Sequence, residues 1–299
     1  MGQYKASIDI GSNTILLLVA EYTSGKFLFQ KNFSRITGLG RGIDKTHKFS
    51  EEAMEDSLVA FSEYFKLVKQ FNISPEDVIV TATEASRVVN NAQEFFNEIH
   101  HRFSFTVRII SAEKEARLAA LGVVSGLSSS SGSDILIMDI GGASTELIKV
   151  DLNPFKIRDM ISLPMGSVRG TDWKKEDMFE QNIDKCLKNN DLTPFCADHL
   201  VCIAGSMVSV GAMVRGITKF DETKIHGKVF SLDDLLKLVN KIKQYNVDQL
   251  ISNFPFLGKR ASTILAGAEI GLEIAKILNV ESFEISTYGL RHGSLVEGV

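Results

Sequence analysis

The sequence is poor in cysteine, has no long apolar run and carries no excess of positive charge. Each absence removes a class of protein. Of 299 residues only three are cysteine, Cys186, Cys196 and Cys202, odd in number and without metal-ligand spacing. A reducing cytoplasm is the expected setting. The longest uncharged stretches, residues 118–133 and 200–214, are broken by Gly and Ser. Both are shorter than the roughly 18 apolar residues of a spanning helix, so no membrane association is expected. Asp9 interrupts the N-terminal segment before an apolar core can form, so a secretory signal is not expected. Lys plus Arg is 33 against 37 for Asp plus Glu, a net charge of −4. That balance argues against a general basic surface for nucleic acid. It leaves room for a local pocket that holds a small polyanion.

What remains is ordinary globular composition, 44% apolar and 23% charged. The length is about twice that of the commonest single domain, which suggests two domains. Strand, turn and strand are read at 6–10, 11–14 and 15–20, with a third strand at 27–33. Ser50 caps a helix whose first turn holds Glu51 and Glu52. Met54, Leu58, Phe61, Phe65 and Val68 give that helix one apolar face. A strand at 78–82, a helix at 84–102 broken near Asn90-Asn91, a strand at 105–110 and a helix at 113–124 follow. Residues 125–134, with four serines at 128–131, read as a linker.

The second half opens as the first does. Asp9-Ile10-Gly11-Ser12-Asn13-Thr14 recurs as Asp139-Ile140-Gly141-Gly142-Ala143-Ser144-Thr145, again between two strands. A duplicated domain explains this. Further on, helices are expected at 172–188, 207–214, 232–245, 259–278 and 289–297, and strands at 200–204 and 282–286. Gly267 and Gly271, at i and i+4, suit a close helix contact.

Gly-rich turns between strands can gather backbone N–H groups into a concavity that holds phosphate oxygens, with glycine supplying positive φ. Gly11, Ser12, Asn13 and Thr14 form one such candidate. Gly141, Gly142, Ala143, Ser144 and Thr145 form a second, and Gly205-Ser206, between strand and helix, a third. Asp9, Asp139 and Glu146 stand on strands beside these turns. Carboxylates next to phosphate call for a cation between them, and Mg²⁺ takes one or two carboxylates together with phosphate oxygens. Two further segments enter helices after strands, one with Arg87 and one with Glu113, Glu115 and Arg117. An arginine there could pair with phosphate and a glutamate could activate water. Chemistry alone does not choose Glu115 over Glu113, or Arg87 over Arg117.

Asp9 to Thr14, Ser111-x-Glu-x-Glu115-Ala116-Arg117-Leu118, Asp139 to Glu146 and Ser286-x-x-Gly289-Leu290-Arg291-x-Gly293, with Gly38-Leu39-Gly40, resemble the exopolyphosphatase and guanosine pentaphosphate phosphohydrolase family. The likeness runs from residue 9 to 293. Ala143 stands where the family usually has glycine, and Glu113-Lys114 replaces a frequent Asn-Glu pair. The methyl of Ala143 is expected to restrict φ in the second turn.

The resemblance implies an α/β fold of the actin-like superfamily, two RNase H-like domains of mixed sheet plus helices with an interdomain cleft. The expected domains are residues 1–124 and 125–299, with 287–299 as a terminal helix able to pack back on the first. It also implies removal of a terminal phosphate from inorganic polyphosphate, or from guanosine pentaphosphate to give the tetraphosphate, with Mg²⁺ or Mn²⁺. Glu115 takes the position of the water-activating base, Arg87 that of a phosphate contact, and Asp139 with Glu146 that of the metal acids. Longer members carry a further helical domain; a chain of 299 residues favours polyphosphate. A homodimer is a further expectation. The competing readings are an ATP-dependent sugar-kinase-like phosphotransferase and a non-catalytic sensor of polyphosphate or guanosine tetraphosphate.

Overall fold

The computed structural model describes residues 3–127 and 132–298, so the serine run at 128–131 lies outside the described residues. The chain divides into two compact units. One runs to Ser125 and includes the segment from Gly289, and the other is Gly126–Tyr288. No helix among the described residues is long and apolar enough to cross a membrane.

The first unit is built on strands β1 (Tyr4–Ile10), β2 (Thr14–Thr23) and β3 (Lys26–Ile36), an antiparallel meander. A short helix α1 (Ile43–Thr46) and the long α2 (Glu51–Gln70) follow. Strand β4 (Ile79–Ala82), helices α3 (Glu84–Val88) and α4 (Ala92–Phe103), strand β5 (Val107–Ile109) and helix α5 (Ala112–Gly126) complete it, with the terminal helix Leu290–Glu297. The sheet order is β3-β2-β1-β4-β5, and β4 and β5 join in parallel. Alternation along β1 and β2 sets the layers. Ile8, Ile10, Ile15, Leu17 and Val19 face α2 and α4, whose Phe61, Tyr64, Phe95 and Ile99 close the main core. Leu18 and Ala20 face the other way and are covered by Leu295 of the terminal helix.

Ser50 caps α2 as expected, its hydroxyl accepting from the Ala53 amide at 3.2 Å. The buried face is turned from the expected one. Ala53, Ser57, Ala60, Phe61, Tyr64 and Val68 are buried, while Met54, Leu58 and Phe65 flank the core. Small residues let the helix approach the sheet, and the Tyr64 hydroxyl donates to the Ile15 carbonyl at 2.8 Å. α5 reaches Gly126, so Ser125 and Gly126 are helical, where the sequence suggested a linker.

The second unit repeats the plan. Strands β6 (Asp134–Ile140), β7 (Thr145–Leu152) and β8 (Phe155–Leu163) form the meander. Helices α6 (Ser167–Lys175) and α7 (Phe179–Lys188), strand β9 (Leu200–Ile203) and helix α8 (Ala204–Val214) come next. Strand β10 (Lys228–Ser231), helices α9 (Leu232–Ile242), α10 (Val247–Asn253) and α11 (Ile264–Ile277), and strand β11 (Ser282–Ile285) finish it. The order β8-β7-β6-β9-β11 matches β3-β2-β1-β4-β5 strand for strand, with β10 added at the edge.

Several elements differ from the sequence expectation. The helix expected at 172–188 is two helices, and the one expected at 259–278 begins at Ile264. A 3₁₀ stretch, Pro255–Ser262, bent at Gly258 with φ 49°, precedes it. β8, β10 and α10 were not expected. The Gly267 and Gly271 contact is as read: Gly267 lies on Ser206 and Ser167, and Gly271 on Met207.

Candidate active site

In the first unit the carboxyl ends of the parallel strands β1, β4 and β5 gather the candidate groups, as open α/β sheets do. Asp9, next to last in β1, lies opposite Leu16 on β2 and beside Thr81 on β4. Its Oδ1 is buried with no hydrogen-bond partner. Burial pushes its carboxyl up to about 6, opposed by the nearby Arg291 guanidinium. The turn after it closes with the Gly11 amide donating to the Thr14 carbonyl at 3.1 Å. The Asn13 carbonyl accepts from the amides of Thr37 and Gly38, at 3.0 and 3.1 Å. The Gly40 amide donates to the Ser12 carbonyl at 2.6 Å. Gly38-Leu39-Gly40 is therefore a brace for the turn. Asn13 Oδ1 and Thr37 Oγ1 are buried without partners beside it.

Arg87, on α3 after β4, and Glu115, on α5 after β5, meet. Arg87 Nη1 donates to Glu115 Oε2 and to the Ile110 carbonyl, both at 2.9 Å. The side chains are 24% and 17% exposed, so the pair is sheltered and still reachable. Burial pushes the Glu115 carboxyl up to about 7. The Arg87 hydrogen bond and charge pull it down, and the charges of Asp9 and Glu84 push it further up. Glu113 behaves oppositely. It is exposed, and hydrogen bonds at the helix start, from its own backbone and from Ser111, lower its carboxyl. Arg117 turns to Glu297 at 2.9 Å. Of the two glutamates and two arginines left open by the sequence, Glu115 and Arg87 meet in a sheltered pair, whereas Glu113 is exposed and Arg117 pairs with Glu297.

In the second unit Asp139 and Glu146 lie directly opposite each other across β6 and β7, hence on one face of the sheet. Ser162 Oγ donates to Glu146 Oε1 at 2.7 Å. The turn between them closes with the Gly141 amide on the Ser144 carbonyl at 3.0 Å. That closure does not use the amides of Gly142, Ala143 and Ser144. The start of α6 stitches the turn from behind: the amides of Ser167 and Val168 donate to the carbonyls of Gly141 and Gly142, at 2.9 and 2.8 Å. Thr145 is fully buried, and its hydroxyl, expected to face phosphate, donates to the Met165 carbonyl at 2.6 Å.

Two expectations about these turns are corrected. Gly11, Gly141, Gly142 and Gly205 do not have positive φ, so the turns do not depend on left-handed glycine. Ala143 has no positive φ either, and its methyl is buried in the turn. Gly205-Ser206 is not a separate turn but the first turn of α8, and the left-handed residue there is Ala204, with φ 63°.

Sequence reasoning missed Arg260. A Cβ on Gly205 would lie 2.5 Å from its Nη2, so the guanidinium rests on the start of α8. It donates to Ser209 Oγ at 3.3 Å, and no acid among the described residues pairs with it. Burial lowers its pKa, and it stays charged. A sheltered guanidinium over a helix N-terminus is a place for an anion. The only signal in the sequence was a lone arginine within a proline- and glycine-bearing break.

No group of three or more His, Cys, Asp or Glu among the described residues is arranged to hold a metal by itself. Mg²⁺ does not need one, since one or two carboxylates and substrate phosphates suffice. Asp139 with Glu146 in one unit, and the unpartnered Asp9 oxygen in the other, fit that donor chemistry.

Comparison with known proteins bears on the family and the fold. The chain is 27% identical to exopolyphosphatase 2 of Mycobacterium tuberculosis, over 96% of each chain. It is 26% identical to the guanosine-5'-triphosphate,3'-diphosphate pyrophosphatase of Aliivibrio fischeri, over 96% of this chain and 58% of that one. The chain spans about half the length of several curated relatives that it matches, the A. fischeri enzyme among them. The crystal structure of the Aquifex aeolicus Ppx/GppA family member shares its two-unit α/β fold, with TM-score 0.79 at 30% identity over 99% of this chain and 97% of that one. The family model of the Ppx/GppA phosphatase family matches residues 18–299, and the chain belongs to that family.

Proposed function

We propose that the protein releases terminal orthophosphate from inorganic polyphosphate, with Glu115 as the general base and guanosine pentaphosphate as a second substrate. The observation that carries this is the sheltered Arg87–Glu115 pair, whose carboxyl burial poises near neutral pH. A base with that pKa is half ionised where it must take a proton, the most effective condition for general base catalysis. The family relatives named for polyphosphate and for guanosine pentaphosphate support the two substrates.

In the proposed reaction Glu115 orients a water in line with the terminal phosphorus and accepts its proton. The new P–O bond forms as the bridging P–O bond breaks, and the electron pair leaves with a chain one phosphate shorter. Arg87 steadies the charge on the transferred group and, by leaving Glu115 for phosphate, frees the carboxylate. Gly11, Ser12, Asn13 and Thr14 offer donors in the first unit. Gly141, Gly142, Ala143 and Ser144, together with Gly205, Ser206 and Arg260, offer donors in the second. Asp139 and Glu146 would hold Mg²⁺ or Mn²⁺, which offsets phosphate charge, and Asp9 is a separate candidate ligand in its own unit. Positioning and electrostatics supply most of the catalysis in phosphoryl transfer.

The test is orthophosphate release from short polyphosphate, long polyphosphate and guanosine pentaphosphate, side by side, with and without Mg²⁺. Metal-dependent release, fastest on polyphosphate, is expected. ATP-dependent phosphorylation of a sugar without polyphosphate turnover would overturn the reading in favour of a kinase. Binding without turnover would favour a sensor.

A further inference from the structure

In the C-terminal motif Gly289-Leu290-Arg291-x-Gly293 the arginine lies near Asp9, while the two glycines have no part in the chemistry above, yet they meet the helix that carries Glu115. A Cβ on Gly293 would overlap the Leu118 carbonyl oxygen, and a Cβ on Gly122 would overlap the Gly289 carbonyl oxygen. The two backbones touch where only glycine fits. Four residues further along, Glu297 takes Lys114 Nζ on one oxygen and Arg117 Nε on the other, the latter at 2.9 Å. The contacts run 289, 293 and 297 against 122, 118 and 114, one helical turn per step in opposite directions. Leu290 also packs with Leu118 and Ile110, whose carbonyl holds Arg87. Glu115 lies between the two cations that Glu297 ties down.

We infer that the terminal helix positions the catalytic carboxylate. Glu297 fixes the first turns of α5 on both sides of Glu115, and Gly293 and Gly122 set the depth at which α5 sits. Glu297 is thus a positioning residue, an assignment that rests on Glu115 being the base. The glycines of the motif are explained by the same contact: a methyl at 293 must push α5 away and carry Glu115 with it. Displacements of about 1 Å at a reacting group can cost up to about a hundredfold in rate.

The experiment compares Glu297→Ala, Glu297→Gln and Glu115→Gln by steady-state orthophosphate release from polyphosphate, with amide hydrogen exchange along α5. Glu297→Ala is expected to lower kcat about tenfold with a smaller change in KM, because α5 is loosened and the phosphate-holding turns are not. Exchange at the amides of 115–118 is expected to rise in the same variant. Glu297→Gln keeps one carbonyl oxygen for one cation and should fall between it and the wild type. If exchange rises while kcat stays at the wild-type value, the clamp is structural only and the inference is overturned. Unchanged exchange and unchanged kcat overturn it as well. A Glu115→Gln enzyme that still turns over defeats the base assignment itself, a separate result from an inactive Glu115→Gln beside a fully active Glu297→Ala.

Discussion

The two hairpins that open the two units share sequence, register and sheet position, and they have diverged in what stands around them. Asp9 faces Leu16 across its ladder and keeps a buried oxygen without a partner. Asp139 faces Glu146, which a serine hydroxyl also engages. The first turn is braced by a loop, Gly38 to Gly40, and the second by the start of helix α6. The elements that follow diverge more. After β4 and β5 the first unit presents Arg87 and Glu115. After β9 the second presents Gly205 beneath Arg260, and after β11 comes the terminal helix, which packs on α5. Duplication thus left one unit with a carboxylate of raised pKa and the other with a pair of facing acids and a sheltered guanidinium. The terminal helix stands in the plan where α5 stands, so the chain pairs α5 with its own counterpart.

That asymmetry can be broken at its strongest point by Glu115→Gln. The expected loss of kcat is about 10²- to 10⁴-fold, the usual share of a general base. Near wild-type turnover would leave the two units without the proposed difference.

The next effect is on stability against pH. Folding raises the Glu115 carboxyl from 4.5 to about 7, so between these values the folded chain binds a proton that the unfolded chain does not. Its contribution is therefore fully present below about pH 4.5 and is lost as pH rises through 7, by up to about 3 kcal/mol. Denaturant melts at pH 5 and pH 8 should show the decline, and Glu115→Gln should lessen it to the smaller share left by Asp9, whose carboxyl burial raises to about 6. A variant with the same slope as the wild type would place the charge penalty elsewhere.

The second unit is probed by Gly205→Ala, which forces the Arg260 guanidinium off the start of α8. KM for polyphosphate should rise about tenfold, the worth of one charged hydrogen bond, and kcat should change less. An unchanged KM would remove Arg260 from the phosphate contacts. The smallest effect is at Ala143. Its backbone does not need glycine, so Ala143→Gly should lower stability by about 0.4–1 kcal/mol through a freer unfolded chain. A gain in thermal stability would restore the idea that the methyl strains the turn.

Much of this was legible in the sequence where short-range pattern carries the information. Both opening hairpins, the cap at Ser50 and the break at Asn90-Asn91 follow from local residue chemistry. β8 alternates apolar and polar residues and lies about 130 residues after β3, so the repeat itself held the signal that would have found it. The buried face of α2 was not legible, because the sheet selects Ala53, Ser57 and Tyr64 over larger neighbours for fit and for one hydrogen bond. The helix at 259–278 looked continuous because its break uses one glycine at φ 49°. At the site, residue types marked the turns, but the sheltered setting that sets Glu115 apart from Glu113 lies in burial and an ion pair. Arg260 and Glu297 needed contacts more than 50 residues away in sequence, which no local pattern encodes.

The central claim is that burial in the first unit tunes Glu115 to serve as the base. The pH dependence of kcat/KM for polyphosphate, in wild type and Glu115→Gln, tests it most directly, because that ratio reports the free enzyme. The account predicts an acid limb with its midpoint near 7 in the wild type and no such limb in the residual activity of the variant. A wild-type limb near 4.5, the ordinary glutamate value, or a limb near 7 that survives in Glu115→Gln, would contradict it.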